Sequence, residues 1–333
     1  MKDSKISGAE ALLRSLIELG TDTVFGYPGG AILPVYDALY NCEGLRHILV
    51  RHEQGAMHSA QGYARATGRT GVVIVTSGPG ATNCITGLSD AMMDSTPLVV
   101  ITGQVGAASL GSDAFQETDV VAVTQPITKW AYQVRRAEDV PAAVARAFYI
   151  ASTGRPGPVV LDIAKDAQTG LLDYRFEPVN YIRSYDPEPP LAPETVAEAA
   201  ALINRARRPL ILAGQGVIIS GAEHELAALA ERIQAPVALT LLGLSALPSS
   251  HPLLLGMAGM HGSVAANWAT NRADLIIAIG MRFDDRVTGD TSRYAPDAHI
   301  IHIDIDRAEP GKCVKCDVAV CADAAHALRA ILA

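Results

Sequence analysis

The chain has 333 residues, of which 49% are hydrophobic and 19% charged, and its formal net charge is −8. That length suits two ordinary domains. An acidic balance without a Lys/Arg run excludes a nucleic-acid surface, and the longer apolar runs, such as Pro97–Thr102 and Leu275–Ile279, fall far short of the ~20 residues that span a bilayer. The expectation is a globular, non-membrane, cytoplasmic protein, or an organelle protein without its transit peptide.

In chain order, Met1–Gly20 is unlike a secretory leader, because Arg14 and Glu18 interrupt its apolar stretch and no small-residue cleavage site follows. Ser7 with Glu10 has the spacing of a capping box opening a helix over 7–19. There follow a strand at 23–26, a helix near 31–40, a strand at 45–50 and a helix over 53–67. Next come a strand at 72–76, a helix near 81–93, a strand at 98–102, a long loop, a helix near 139–152 and a strand at 159–163. Between 173 and 192 the pattern stops, and Pro178, Pro187, Pro189 and Pro190 mark a linker. Alternation then resumes: helix 193–205, strand 210–213, helix 221–233, strand 237–241, helix 262–271, strands 275–279 and 299–305, and a closing helix 323–332. Such alternation builds parallel sheets with helices on both faces, so the fold class is α/β with two doubly wound domains, 1–172 and 193–333. The cysteines, Cys42, Cys84, Cys313, Cys316 and Cys321, form no disulfide framework, and Cys313-Val-Lys-Cys316 is half a zinc site without its other half, so no metal ligand is assigned.

Ligands of such sheets bind beyond the carboxyl ends of the strands, which singles out the loops there. Glu53 stands at a strand-to-helix junction; it is either a partner of the helix dipole or part of a site. The helix it opens carries a stripe of small residues, Ala56, Ala60 and Ala64, with Gly55, Ser59 and Gly62 beside it. Helical glycine costs up to ~1 kcal/mol against alanine, so this surface suggests close approach by another backbone or a flat ligand. Thr76–Asn83 is a glycine-rich turn running into a helix, suited to an anion or simply to a tight turn, and it lacks the Gly-Lys-Ser/Thr of a P-loop. Gly214-Gln215-Gly216 follows a strand as a dinucleotide fingerprint does, but Gly221 falls two positions late for the third glycine. Asp304 is placed to bond a ribose or adenine, or to end a strand in solvent. Arg282–Arg286 packs four charges and a phenylalanine into five residues, either an anion grip or a surface ion-pair cluster. Gln116 and Lys165 are further polar candidates.

Together these segments resemble the large, catalytic subunit of acetolactate synthase (acetohydroxyacid synthase), a thiamine diphosphate enzyme. The resemblance covers essentially the whole chain, through FGYPGGA (25–31), RHEQGA (51–56), GYARATG (62–68), TSGPGATN (76–83), ITGQV (101–105), DAFQE (113–117), GRPGPVVLDIAKD (154–166), GMHG (259–262) and RFDDRVTG (282–289). It makes 1–172 the domain that binds the cofactor's pyrimidine and 193–333 a central FAD domain. Glu53 matches the glutamate that hydrogen-bonds N1′ of the aminopyrimidine and promotes the imino tautomer that deprotonates thiazolium C2. Gly29, Gly30 and Ala31 match the turn beside the thiazolium, with Asn83 and Gln116 on the same side. Phe115, Lys165, Met260 and Arg286 match the channel for 2-keto acids, Arg286 holding a carboxylate and Asp285 orienting it. Flavin positions are Arg155, Gly214, Gly216, Thr240, Leu241, Gly259, Met260, His261, Gly280, Arg282, Asp304 and Asp323, the FAD being structural and not redox-active.

The implied reaction condenses pyruvate-derived hydroxyethyl-thiamine diphosphate with a second pyruvate or 2-ketobutyrate, a step of isoleucine and valine biosynthesis. The resemblance also implies a homodimer, with the Ala56/Ala60/Ala64 stripe as a contact surface, and allows a regulatory small subunit. In the family a third domain carries a Gly-Asp-Gly segment and an asparagine that bind Mg²⁺ and the diphosphate. This sequence contains no Gly-Asp-Gly, so the chain by itself is expected to be inactive. Ala164 stands where the family has proline, expected to loosen the loop bearing Lys165, and Ala258 replaces a leucine beside the flavin. The alternatives are another thiamine diphosphate enzyme, such as a pyruvate oxidase, against which DAFQE and RFDDRVTG count, and a non-catalytic flavin-binding or dimerising fragment.

Overall fold

Six parallel strands form the centre of the first half: β1 (Thr23–Tyr27), β2 (Arg46–Leu49), β3 (Gly71–Val75), β4 (Leu98–Gln104), β5 (Trp130–Val134) and β6 (Pro158–Ala164). Their order across the sheet is β2-β1-β3-β4-β6-β5. The structure, a computed structural model, describes residues 5–333; Met1–Ser4, the start of the stretch read as unlike a leader peptide, lie outside the described residues. The strands of a parallel sheet are buried on both faces, hence the nearly unbroken Val/Ile/Leu runs. Val72, Ile74, Val99 and Ile101 meet Leu12, Leu16, Val35 and Val144 on one side. Val73, Val75 and Val100, one residue out of phase, meet Ala56, Met57, Ala60 and Leu88 on the other.

The capping box is present: Ser7 Oγ accepts from Glu10 N (3.1 Å) and Glu10 Oε2 accepts from Ser7 N (2.9 Å), opening the helix Gly8–Glu18. The helix Glu53–Thr67 has the bounds read from the sequence, ended by Gly68 in the left-handed conformation. Its alanine stripe, however, corrects an expectation. Ala56, Ala60 and Ala64 are 0%, 0% and 3% exposed, packed onto their own sheet, so they offer nothing to a second copy. Gly55, Ser59 and Gly62 face outward instead, and a Cβ at Gly55 or Gly62 would meet open space.

The long loop expected after β4 contains a short helix, Val120–Thr124, and the edge strand β5. This first unit runs to Tyr185. Tyr185 is bound into it: its hydroxyl donates to Thr153 O (2.8 Å) and accepts from Lys129 Nζ (2.9 Å).

From Asp186 onward a second unit is built on β7 (Pro209–Ala213), β8 (Val237–Leu239), β9 (Leu254–Met257), β10 (Leu275–Ile279), β11 (His299–Asp304) and β12 (Val318–Cys321). All pairs are parallel, in the order β9-β8-β7-β10-β11-β12. Counted within the unit this is third, second, first, fourth, fifth, sixth, the order of dinucleotide-binding sheets. Helices Pro193–Arg205, Glu223–Ile233 and Ala324–Leu332 cover one face, and Val264–Arg272 covers the other. β9 and β12, both sheet edges, were not anticipated. Two units of doubly wound topology, as expected from the alternation, are thus present. No helix among the described residues is long and apolar enough to cross a membrane.

Candidate active site

In the first unit β1 and β3 are neighbours, and the chain turns away from them toward opposite sides of the sheet, which opens a crevice at their carboxyl ends. Glycines line it for lack of room. A Cβ at Gly29 would lie 2.5 Å from the Cβ of Thr76, and one at Gly80 would lie 2.7 Å from Thr76 Cγ2. Thr76 Oγ1 accepts from Ala31 N (3.3 Å), joining the loops after β1 and β3. Gly78, at φ +53°, lets the Gln116 carbonyl approach to 2.6 Å of the point its Cβ would take. Gln168, 1% exposed, donates to Ala31 O (2.8 Å) and Ile163 O (2.9 Å), binding the same turn to the end of β6.

Glu53 enters this crevice from the loop after β2. His52 serves as N-cap, its Nδ1 accepting from Gln54 N (3.1 Å), so the glutamate is the first residue inside the helix and its side chain turns inward. It is 8% exposed, and Asn83 Nδ2 donates to its Oε2 at 2.9 Å. The other oxygen, Oε1, lies 3.5 Å from the position a Gly80 Cβ would occupy. Burial, with the Glu53 charge as a second cause, pushes both the Tyr36 phenol and the Cys84 thiol well above their ordinary values. A buried carboxylate held by one amide and faced by glycine is a positioned acceptor.

One side chain with no anticipated role organises the neighbouring loop. Asp162, on β6, is fully buried and accepts from Thr102 Oγ1 (2.7 Å), Gln104 Nε2 (3.0 Å) and Gln133 Nε2 (3.0 Å). Burial raises its carboxyl above the ordinary 3.8, partly offset by those three donors. Gln104 in turn donates to Thr118 O (2.9 Å) and accepts from Val105 N (2.9 Å), closing both ends of the loop that carries Phe115 and Gln116.

In the second unit the switch point lies between β7 and β10. There Gly214, Gly216 and Gly280 pack backbone on backbone: a Cβ at Gly214 would sit 2.2 Å from Gly280 O, and one at Gly216 2.6 Å from Gly280 Cα. Gly216 N donates to Gly280 O (3.0 Å). The turn after β9 is fastened to the segment after β10, since Met260 N donates to Arg286 O (2.8 Å). Asp284 Oδ1 caps the short helix Asp285–Thr288, accepting from Arg286 N (3.0 Å) and Val287 N (3.1 Å). Arg286 and Asp285 project into solvent with a 3.8 Å ion pair, an arrangement contributing little by itself. A cleft of about 480 Å³ beside them is lined by Met260, Asn267, Asp285, Arg286, Arg293 and Tyr294 among others.

Comparison with known proteins matches this architecture unit by unit. Residues 6–123 match the family "Thiamine pyrophosphate enzyme, N-terminal TPP binding domain", and residues 196–331 match "Thiamine pyrophosphate enzyme, central domain". The chain belongs to the thiamine pyrophosphate enzymes. It is 52% identical over 328 residues to the acetolactate synthase large subunit of Corynebacterium glutamicum, covering 98% of this chain and 52% of that protein. It is 51% identical over 326 residues to the acetolactate synthase large subunit of Lactococcus lactis subsp. lactis, covering 98% and 57% respectively. The chain thus spans about half the length of the curated relatives it matches.

In the first unit Glu53, Asn83, Gly29, Gly30, Ala31 and Gln116 all belong to the loops that meet at the β1/β3 crevice. Phe115 is 87% exposed at the rim of its loop. Lys165 is exposed but its backbone is tied, Lys165 N donating to Val105 O (3.4 Å), and Asp166 holds Ala107 N. Ala164 has φ −58°, a value proline also holds. Arg155 Nε donates to Ser95 Oγ (2.9 Å).

In the second unit Gly214, Gly216, Thr240, Leu241, Gly259, Met260, His261, Gly280, Arg282, Asp304 and Asp323 lie at or just beyond the carboxyl ends of strands. Several have structural duties there. Thr240 Oγ1 accepts from Gly243 N (3.1 Å), and Asp323 Oδ1 accepts from Ala325 N (2.9 Å), His326 N (3.2 Å) and Ser220 Oγ (2.8 Å). Sequence reasoning gave no individual role to Thr76, Asp162, Gln104, Gln168, Asn267 and Asp284, although Thr76, Gln104 and Asp284 lie in segments it singled out. The first four act through contacts distant in sequence; Asp284 was detectable as an N-cap ahead of Arg286 and Val287.

Proposed function

We propose that this chain supplies the cofactor-activating and flavin-binding parts of an acetolactate synthase large subunit. The observation that carries this reading is the Glu53 carboxylate, buried at the β1/β3 crevice, held by Asn83 and facing glycine. Thiamine diphosphate, when bound, provides the carbanion chemistry that decarboxylates a 2-keto acid and forms the new carbon–carbon bond. The Glu53 carboxyl would share a proton with the aminopyrimidine ring nitrogen, donating it to the amino form and, as carboxylate, accepting the N–H of the imino form, while Asn83 fixes the carboxyl rotamer so that one oxygen stays available. Burial strengthens that hydrogen bond, because little water competes for the acceptor. Gln168 and Thr76 hold the Gly29–Ala31 turn in place on the other side.

Pyruvate and 2-ketobutyrate are the substrates, their carboxylates met by the Arg286 guanidinium, whose planar fork suits bidentate pairing. FAD is held in the second unit at the switch point between β7 and β10. Three glycines there let two loops close backbone to backbone, at the place where such sheets bind dinucleotides. Mg²⁺ and the diphosphate belong to the part of the relatives that this chain does not span. A homodimer is part of the reading, supported by the outward Gly55–Ser59–Gly62 face; sedimentation of wild type against Gly62→Leu tests it, an unchanged monomer in both cases refuting it.

The test uses these 333 residues continued by the C-terminal remainder of the Corynebacterium glutamicum relative, with thiamine diphosphate, Mg²⁺, FAD and pyruvate. Acetolactate formation is expected, and Glu53→Gln is expected to lower kcat at least ~100-fold, within the range of lost acid–base participation. Because glutamine keeps an oxygen for Asn83, the melting temperature should hardly change. No acetolactate from the wild type, or a Glu53→Gln variant of equal kcat, contradicts the reading.

A further inference from the structure

The turn Gly259–Gly262 carries Met260 and His261, and it is held by backbone bonds and by a side chain from outside it. Gly259 has φ +98°, and a Cβ there would meet Arg286 O at 2.5 Å and Val287 Cα at 3.0 Å, so the turn presses backbone to backbone on the segment bearing Arg286. The clamp comes from outside the turn, from Asn267 on the helix Val264–Arg272. Gly259 N donates to Asn267 Oδ1 (2.9 Å), and Asn267 Nδ2 donates to Gly259 O (2.9 Å). One carboxamide thus pairs with both polar groups of a single residue, as a neighbouring strand would. Gly259 O accepts a second bond from Gly262 N (2.9 Å), which closes the turn.

The helix that carries Asn267 is itself fixed to the strand before the turn. Ser263 Oγ accepts from Ala266 N (3.1 Å) as N-cap and donates to Leu255 O (2.6 Å), while Ser263 N donates to Met257 O (2.8 Å). The Asn267 amide is therefore delivered by a rigid support. Only an asparagine serves: aspartate keeps the acceptor but sets a charged oxygen against Gly259 O, and alanine leaves both groups of Gly259 unmatched. Asn267 also lines the cleft beside Met260 and Arg286.

We propose that Asn267 is a positioning residue for the flavin site, its carboxamide clamping Gly259 so that Met260 and His261 are preorganised for FAD and held in register with Arg286. This rests on the reading of the second unit as FAD-binding. Its action runs through Gly259.

The experiment measures FAD binding to the 333-residue chain by quenching of flavin fluorescence, together with the shape of the bound flavin's visible absorption band. Asn267→Asp and Asn267→Ala are compared with wild type and with Asn271→Ala, a neighbour on the same helix whose Nδ2 donates to the Asn267 carbonyl (3.0 Å). Asn267→Asp is expected to raise the Kd for FAD about tenfold or more and to alter the band shape, with Asn271→Ala close to wild type. Equal affinity and an identical spectrum in Asn267→Asp overturn the positioning role alone. A wild-type chain that binds no FAD overturns the flavin reading and the proposal with it. Should both Asn267 variants fail to fold, hydrogen exchange of the wild type decides. The Gly259 amide should exchange slowly before FAD is added, and the Met260 and His261 amides should slow further once it is bound; a fast Gly259 amide in the folded chain, or no slowing at 260 and 261, overturns it.

Discussion

Gly214→Ala tests whether the switch point of the second unit is closed as tightly as the geometry demands. Gly214 has φ −108°, a conformation open to any residue, so its reason for being glycine is space alone. The added methyl would lie 2.2 Å from Gly280 O, 2.6 Å from Met281 Cβ and 2.9 Å from Gly280 C, against the ~3.5–4.0 Å of an ordinary carbon contact. Relief requires the loops after β7 and β10 to part by roughly 1 Å. That movement stretches the Gly216 N to Gly280 O bond from 3.0 Å to beyond hydrogen-bonding range.

Overpacking at about 1–3 kcal/mol and one lost backbone bond at about 1 kcal/mol give a destabilisation of about 2–4 kcal/mol. For a unit of this size that lowers the melting temperature by roughly 6–14 °C. The assay is thermal unfolding followed by tryptophan fluorescence in a Trp130→Phe background, where Trp268 is the remaining tryptophan and reports the second unit. Gly221 gives the control, since its φ is +66° and nothing lies within 4 Å of a Cβ there. Gly221→Asn should be tolerated better than Gly221→Ala, because asparagine visits the left-handed region more readily, whereas Gly214→Asn should be worse than Gly214→Ala. A Gly214→Ala chain that melts with the wild type, or the same ranking of Asn and Ala at both sites, refutes the reasoning.

Two further outcomes follow from the first unit. Ala60 is fully buried against its own sheet, so Ala60→Leu should cost about 1–3 kcal/mol in a guanidinium titration, while Ala66→Leu on the exposed face should stay within about 0.5 kcal/mol; equal midpoints would return the alanine stripe to the surface. Asp162 has a raised carboxyl pKa in the folded chain, so its contribution to stability is fullest below pH 3.8 and is lost as pH rises through the folded value. Asp162→Asn removes that dependence, while its amide sets a donor against donors at a cost of about 1–3 kcal/mol. The stability difference between wild type and variant, from urea midpoints between pH 3.5 and 7, should therefore narrow as pH rises; a widening gap contradicts the assignment.

The sequence by itself determined the central strands, most of the helices and their alternation, because strands buried on both faces must be apolar throughout and capped helices announce their starts. Ser7 with Glu10 and the helix Glu53–Thr67 were legible for that reason. The strands it did not reveal, β5, β9 and β12, are all sheet edges. An edge strand is paired on one side only and partly exposed, so Trp130–Val134 carries mixed residues, while Leu254–Met257 is apolar but only four residues long and broken by Gly256.

Tertiary structure alone decided which way the small residues of the 53–67 helix face. Spacing defines two adjacent stripes, alanine and glycine, but only the sheet beneath selects the alanines for burial. It also decided that Glu53 is a buried acceptor and not merely a dipole partner, since Asn83 and Gly80 come from the loop after another strand. Strand order has no local signature, and the crevices lie where that order reverses. Gln104, Asp162, Gln168 and Asn267 hold the loops at strand ends through partners that the fold brings within about 3 Å.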